Sequence, residues 1–234
     1  MDATFQGLAS HCIELLEDAA PDRRVLIAVS GIPGSGKTTL GNAVYQRINK
    51  AWNNRSGTRI AAFVPMDGFH LRRETLAAMP NAEEAIARRG APFTFDPNGL
   101  LRLVMDLRKP LDSASKSIFA PSFDHAVKDP VDNDIEILPT DRILIIEGNY
   151  LHLQDEPWSQ IARLMDELWF VRVERDIARQ RVISRHIEAG IAKDEGEAAK
   201  RADENDLVNG DYIVQHSLVP HRIIISIQDD QIAS

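Results

Sequence analysis

The stretch "VLIAVSGIPGSGKTTLGNAV" (Val25 to Val44) joins an apolar run, a glycine-rich turn and the start of a helical segment. Within it, "GIPGSGKT" (Gly31 to Thr38) fits the phosphate-binding pattern G-x-x-x-x-G-K-[ST] at every required position. Its glycines let the backbone curl so that N–H groups point at phosphate oxygens, and the helix N-terminus adds partial positive charge. The stretch therefore predicts a phosphate-binding loop between a strand and a helix.

The loop pattern also assigns roles to single residues. We expect Lys37 to bridge the terminal phosphates of a nucleoside triphosphate, and the hydroxyl of Thr38 to ligate Mg²⁺. A glycine-rich turn that binds nothing is the alternative interpretation. The predicted nucleotide-binding residues are Gly31, Gly34, Ser35, Gly36, Lys37, Thr38 and Thr39.

Five short runs rich in Val, Ile, Leu and Phe alternate with segments of helical periodicity. Each run is continuously apolar, as expected for parallel strands that are covered on both faces. This pattern predicts an α/β fold of the P-loop NTPase type, with a doubly wound, five-stranded, mainly parallel sheet. The runs are 24–30, 59–65, 142–148, 167–173 and 221–227, and the helical segments are 37–50, 157–165 and 174–215.

The connection between the second and third runs, residues 66–141, is far longer than an ordinary crossover and is rich in proline. Weak strand patterns occur in it near 116–120 and 134–138. Long structured insertions are where substrate sites tend to be built, so we expect this one to bind the substrate. No linker divides the chain, which predicts one domain over 1–234 with a lid region at 174–209.

Composition argues against several classes of function. The formal net charge of -8 does not suit a protein whose main partner is nucleic acid or an anionic membrane surface. No apolar run reaches the roughly 18 residues of a membrane span, and the N-terminus does not look like a secretory signal. A cytoplasmic protein is the default expectation. The single cysteine, Cys12, lies on a helical apolar stripe and is predicted to be packing.

Residues outside the loop help to distinguish a GTPase switch from an enzyme. The fragment "NKAW" (49–52) lacks the aspartate of a guanine-reading N-K-x-D element and lies too early in the chain. The third run ends in "IIEGNY", which places Glu147 where such folds put the acidic residue of the magnesium shell. An ordinary exposed glutamate at a strand end is the alternative interpretation of Glu147.

The second run ends in "PMDGFHL" (Pro65 to Leu71), which puts Asp67 at the carboxyl edge of the sheet, on the side of the phosphate loop. A carboxylate near the γ-phosphate suits one task well, which is to accept the proton of an attacking hydroxyl. We expect Phe69 and His70 to point into or beside the same pocket. The alternative interpretation of Asp67 is a helix cap.

The segment "VERDIARQRVISRHIEAG" (173–190) carries two pairs of arginines at helical i, i+4 spacing, Arg175/Arg179 and Arg181/Arg185. Such stripes often face solvent. In a phosphoryl-transfer enzyme, the alternative is a lid whose arginines fold over the developing charge.

With these residues assembled, the chain resembles the phosphoribulokinase/uridine kinase family of P-loop kinases from about residue 24 to residue 227. It is most similar to a branch of nucleoside or fructose-transport-type kinases. The resemblance implies an ATP- and Mg²⁺-dependent kinase that phosphorylates a hydroxyl of a small molecule. The segments that carry it are "PMDGFHL", "ARRGAPFTFD" (87–96), "APSFDHAVKDP" (120–130), "IIEGNYL", "DELWFVRV" and "RHIEAG".

The resemblance implies further roles. Asp67 is similar to the family's general base, and Asp124 to an aspartate that helps to hold the acceptor, although Phe123 replaces the tyrosine beside it. Arg181 and Arg185 match the lid helix. The residues that the resemblance or their position marks as substrate-binding are Asp67, His70, Asp124 and Asn205, and those marked as catalytic are Lys37, Asp67, Arg181 and Arg185.

Two functions from different classes stay open at this point. The first is a kinase that acts on a small-molecule hydroxyl acceptor, such as a nucleoside, a vitamin or a sugar. The second is a nucleotide-dependent switch or binding module that hydrolyses ATP or GTP slowly and recruits a protein through the insertion. A homodimer is also left open.

Overall fold

The computed structural model describes residues 2–124 and 126–227. In chain order, the strands are β1 (Val25–Gly31), β2 (Ala61–Pro65), β3 (Ile118–Asp124), β4 (Asp129–Ile137), β5 (Ile143–Glu147), β6 (Glu167–Arg172) and β7 (Arg222–Ile225). The helices are α1 (Asp2–Asp18), α2 (Lys37–Ser56), α3 (Arg73–Ala77), α4 (Ala82–Ala87), α5 (Pro97–Leu107), α6 (Trp158–Arg163), α7 (Arg175–Glu188), α8 (Glu195–Arg201) and α9 (Leu207–His216).

Five strands form one sheet in the order β2-β5-β1-β6-β7, and every pair in it is parallel. The predicted α/β fold with a five-stranded parallel sheet is therefore confirmed. In the centre, Val29 of β1 is opposite Glu147 of β5, and Pro65 of β2 is opposite the same glutamate from the other side. The carboxyl ends of β1, β2 and β5 thus meet at one edge of the sheet.

Two buried apolar clusters cover the two faces of the sheet. On one face, α1 and α2 pack against the strands, and Cys12 is fully buried there as predicted. On the other face, α5, α6 and α9 supply side chains such as Leu100, Trp158 and Ile213. Burial on both faces explains why β1 and β5 are apolar at every position or nearly so.

The insertion folds as a 3₁₀ turn at Met66–Phe69, the helices α3, α4 and α5, and an antiparallel hairpin of β3 and β4. The weak strand patterns of the sequence overlap this hairpin. Gly68 lies within the 3₁₀ turn, and its φ angle is not in the left-handed region. Its importance lies in a close approach instead, because a Cβ there would lie 2.1 Å from the carbonyl oxygen of Pro121. The hairpin is therefore seated directly on the turn that carries Asp67.

The lid region consists of α7, a short loop, α8, a π-helical turn at Ala202–Asp206 and α9. One arginine stripe of α7 ties these elements together, since Arg175 pairs with Asp211 at 3.2 Å and Arg179 with Asp203 at 2.6 Å. Among the described residues, no helix is both long and apolar enough to cross a membrane.

Candidate active site

The glycine-rich loop follows β1 and ends where α2 begins at Lys37. Gly34 and Gly36 have φ angles of 79° and 87°, which are left-handed and favour glycine. A Cβ on Gly31 would lie 2.6 Å from Oγ of Ser35, and one on Gly34 would lie 2.5 Å from the carbonyl oxygen of Ala178. Gly34 and Gly36 are therefore favoured by their backbone angles, whereas Gly31 is required only because a Cβ there would collide with Ser35.

The loop fits a bound phosphate group. The Oγ atom of Ser35 is buried and has no hydrogen-bond partner among the described residues, so a phosphate oxygen would satisfy it. Thr38 faces the cleft described below, and its side chain hydrogen-bonds to Glu147. Thr39 is exposed on the first turn of α2 and does not line that cleft.

Lys37 and Glu147 form a buried pair under the loop, with 3.9 Å between Nζ and Oε1. Burial raises the pKa of Glu147 to about 7, although the nearby Lys37 and the hydrogen bond from Thr38 oppose the shift. Burial also lowers the pKa of Lys37. Because Glu147 is buried and touches Thr38, the structure does not support the interpretation of an ordinary exposed glutamate. A hydroxyl and a carboxylate side by side are a donor set that suits Mg²⁺.

Asp67 lies two residues beyond the end of β2, next to β5, so it meets Lys37 and Glu147 at the same sheet edge. Its side chain is 51% exposed and faces the cleft. It caps neither the 3₁₀ turn, whose N-cap is Pro65, nor α3, whose N-cap is Arg72. The structure therefore gives Asp67 no capping role and leaves its carboxylate facing the cleft.

A cleft of about 500 Å³ opens between this edge, the hairpin and the lid. We call it the substrate cleft. Of the predicted site residues, it brings together Lys37, Thr38, Asp67, His70, Glu147, Arg185 and Asn205. The other residues that line it are Pro33, Arg89, Gly90, Phe95, Phe123, Lys128, Asn149, His186, Ala189, Ile191, Arg201, Asp206 and Asn209.

The two lid arginines have different positions. Arg185 lines the cleft, and its Nη2 lies 3.9 Å from Oδ1 of Asp206, with no closer ion pair among the described residues. Arg181 does not line the cleft. Its Nη1 donates to the carbonyl oxygen of Gly34 at 3.2 Å and to Oγ of Ser226 at 2.9 Å. Arg185 therefore faces the cleft, whereas Arg181 contacts the phosphate loop without lining the cleft.

The residues that the sequence predicts to bind the acceptor also occupy different positions. His70 lines the cleft, with its ring 4.0 Å from that of Phe95. Asp124 does not line it, and its Oδ1 accepts hydrogen bonds from the backbone N–H groups of Ala126 and Val127 in the hairpin turn. The resemblance thus points to a residue whose carboxylate shapes the turn. Its role in acceptor binding stays a prediction.

Asn205 lines the cleft but is almost fully buried. Its amide oxygen accepts from Nε of Arg88 at 3.0 Å, and its amide nitrogen donates to the carbonyl oxygen of Arg89 at 3.1 Å. Asn209 accepts a second hydrogen bond from Arg88 at 3.0 Å. These amides fix the π-helical turn against the insertion, which joins the lid to the acceptor side of the cleft.

Sequence reasoning did not single out Asn149, Lys128 and Arg201, which all line the cleft. Asn149 follows Glu147 by two residues, so the position of strand ends could have identified it. Lys128 and Arg201 reach the cleft only through the fold of the hairpin and the lid, for which no periodic signal exists.

The family model of the "Phosphoribulokinase / Uridine kinase family" matches residues 26–193, a range that holds the loop, Asp67, Glu147, Arg181 and Arg185. The chain belongs to this family. Its membership of this family, together with relatives that are named as kinases, identifies it as an ATP-dependent kinase. The P-loop kinase that the sequence predicted is therefore confirmed.

Three similar proteins support this assignment. The "ATP-dependent kinase-like protein notR'" of Aspergillus versicolor is 54% identical over 65% of this chain and 89% of its own length. A candidate uridine kinase of Schizosaccharomyces pombe is 41% identical over 95% of this chain and 90% of its own. A crystal structure from Silicibacter sp. TM1040, described as a candidate fructose transport system kinase, is 32% identical with a TM-score of 0.77 and covers 93% of this chain and 98% of that one.

Proposed function

We propose that this kinase transfers the γ-phosphate of ATP, with Mg²⁺, to a hydroxyl group of a small polar metabolite. The observation that carries the proposal is the convergence of Lys37, Asp67 and Glu147 at one sheet edge, inside a cleft roofed by Arg185. Phosphoryl transfer depends mainly on positioning and on the stabilisation of charge, and these residues supply both.

Asp67 accepts the proton of the acceptor hydroxyl as its oxygen attacks the γ-phosphorus atom. Lys37 and Arg185 stabilise the negative charge on the transferred group and on the leaving diphosphate. Thr38 and Glu147 would hold Mg²⁺, which neutralises phosphate charge when it is bound. Arg181 contributes indirectly, through its hydrogen bond to the loop carbonyl of Gly34.

The related proteins have names that refer to uridine and to fructose transport. Nucleosides and sugars are therefore the first acceptors to test, and vitamin-like compounds complete the panel. The cytoplasmic location and the homodimer also stay predictions, which cell fractionation and light scattering of the purified protein would check.

The test is a screen for ADP release by the purified protein with ATP and Mg²⁺, across a panel of these acceptors. Lys37→Ala serves as the blank, because it removes the loop charge. The proposal expects at least one compound to raise ADP release well above the rate without acceptor, and the blank to show no such rise. If no compound raises the rate while ATP still binds, a switch that hydrolyses ATP becomes the better account.

A further inference from the structure

Lys128 lies in the turn between β3 and β4 with a backbone conformation that is unusual for a lysine. Its φ angle is +62°, in the left-handed region that glycine normally occupies. Two hydrogen bonds of 2.7 Å hold it there, from its own N–H to the carbonyl oxygen of Asp124 and from Nη1 of Arg89 to its carbonyl oxygen. A strained residue that its surroundings hold in place is a candidate for function.

The side chain of Lys128 lines the substrate cleft. Among the described residues, it has neither an ion pair nor a side-chain hydrogen bond. The carboxylate next to it is unavailable, because Asp129 pairs with Arg89 at 2.9 Å and accepts the backbone N–H of Arg73 at 2.9 Å. The ammonium group of Lys128 is thus left for a ligand.

The neighbouring arginines differ from Lys128 in this respect. Arg88 is bound to Asn205 and Asn209, and Arg72 pairs with Asp132 at 2.6 Å. The guanidinium of Arg89 is held by backbone carbonyls and by Asp129, with its carbon 5.7 Å from the centre of the Phe123 ring. The guanidinium groups of Arg72, Arg88 and Arg89 are therefore already bound within the protein.

Lys128 belongs to the same wall of the cleft as the proposed base. His70 lies 4.0 Å from the carboxylate of Asp67, and its ring is 4.9 Å from that of Phe123. Phe123 in turn packs under Arg89, which holds the backbone of Lys128. An acceptor that places its hydroxyl at Asp67 and lies along these rings would extend towards Lys128.

Several polar groups on the acceptor side of the cleft are already hydrogen-bonded within the protein. The amides of Asn205 and Asn209 bond to Arg88 and to each other, and the carbonyl oxygen of Gly90 accepts the hydroxyl of Tyr150. Asn149 lines the cleft with a side-chain oxygen that has no hydrogen-bond partner among the described residues, but in the hairpin turn Lys128 offers a cationic donor. An exposed cationic donor that lines the cleft favours an anionic group in the ligand.

We propose that the acceptor is a small hydroxylated anion, and that Lys128 binds its carboxylate or phosphate group. This inference rests on the proposed function, because it concerns the acceptor side of the same site. The lysine would select the substrate and would set its orientation, with the charged group at the hairpin and the reacting hydroxyl at Asp67.

The test compares matched acceptors: gluconate with glucose, glycerate with glycerol, and ribose 5-phosphate with ribose. Each is assayed for ADP release and for the shift it causes in the melting temperature of the protein saturated with Mg²⁺ and ADP. Lys128→Gly removes the charge and relieves the backbone, whereas Lys128→Arg keeps the charge. Two control variants lie outside the cleft: Lys116→Ala, which removes an exposed lysine, and Asn133→Gly, which relieves a second left-handed residue that is not glycine.

The proposal expects at least one anion to be preferred over its neutral partner. Lys128→Gly should then raise the KM of that anion at least tenfold and abolish its thermal shift, while Lys128→Arg and both controls should keep most of the effect. A neutral acceptor that is phosphorylated equally well by the wild type and by Lys128→Gly would overturn the inference but leave the kinase in place.

The proposed anion site can also be supported or rejected when no compound raises ADP release. If no compound raises ADP release but an anion still stabilises the protein through Lys128, the anion site is supported and the small-molecule reaction is not. If no anion changes the melting temperature of the wild type in a way that depends on Lys128, the anion site is wrong.

Discussion

The Nζ atom of Lys37 lies 3.9 Å from Oε1 of Glu147, and both side chains are buried beneath the substrate cleft. The two charges come from different strands of the sheet, since Lys37 begins the helix after β1 and Glu147 ends β5. Each is tolerated in this buried position because the other is there. The pair holds Lys37, the lysine of the phosphate loop, beside the substrate cleft.

The first prediction concerns the apparent affinity for Mg²⁺. The pKa of Glu147 is about 7, and a divalent cation binds the ionised carboxylate. The affinity should therefore fall up to about tenfold per pH unit below 7 and level off above it. Calorimetric titration of Mg²⁺ into the ADP-bound protein over a range of pH would measure this.

Glu147→Gln is the control for that titration, because it should bind Mg²⁺ weakly and keep only the pH dependence of the nucleotide itself. Equal pH profiles for the two proteins would contradict the assignment of Glu147. In the protein without ligands, the raised pKa of Glu147 means that this carboxyl stabilises the fold at pH values below 4.5, which is its ordinary pKa. That contribution is lost as the pH rises through about 7.

The second prediction separates the two lid arginines. Arg185 faces the cleft, so Arg185→Ala should lower kcat by about a hundredfold with a smaller change in the KM of ATP. Arg181 supports the loop at Gly34, so Arg181→Ala should act mainly on the KM of ATP. Steady-state kinetics of both variants would decide this. A larger kcat loss for Arg181→Ala than for Arg185→Ala would reverse the assignment.

The third prediction concerns Gly68, against which the hairpin packs. A methyl group on Gly68 would collide with the backbone of Pro121, so Gly68→Ala should cost about 1–3 kcal/mol of unfolding free energy and should lower kcat/KM by moving Asp67. Gly7 is the matched control, because a Cβ there meets nothing within 4 Å in the middle of α1. Gly7→Ala should be stabilising by up to about 1 kcal/mol. Urea unfolding of both variants provides the comparison.

The fourth prediction concerns a buried carboxylate at the opposite end of the sheet. Asp141 is fully buried, bonds to Nε of Arg59 at 2.7 Å and accepts the backbone N–H of Leu138 at 2.7 Å. Asp141→Ala would leave these donors without a partner and should cost about 2–4 kcal/mol.

The control for Asp141 is the exposed pair of Lys109 and Asp106, at 2.6 Å. Asp106→Ala should cost less than about 1 kcal/mol. Thermal unfolding of the two variants would test the contrast, and equal losses would show that burial is not what makes Asp141 important.

Much of the site could be predicted from the sequence because strand ends and the loop pattern fix it. The carboxyl ends of parallel strands meet at one edge, so Lys37, Asp67 and Glu147 had to lie near one another once their strands were recognised. Continuous apolar runs identified those strands, because both faces of the sheet are covered.

The positions of the other site residues depend on tertiary packing, which leaves no periodic pattern in the sequence. Helical spacing places Arg181 and Arg185 on one stripe, but only the docking of α7 decides which of them meets the cleft. Likewise, Asp124 and Lys128 lie in one hairpin turn, and the turn geometry directs the lysine side chain to the cleft while the carboxylate closes the turn. Local sequence cannot resolve such choices between near neighbours.

The most direct test of the account follows the γ-phosphate itself, with radiolabelled ATP and an acceptor that the screen has identified. The wild type should place the label on the acceptor as a phosphate monoester, and Asp67→Asn should do so at least about a hundredfold more slowly. Label that appears only as inorganic phosphate, or an Asp67→Asn variant that transfers it at the wild-type rate, would contradict the account.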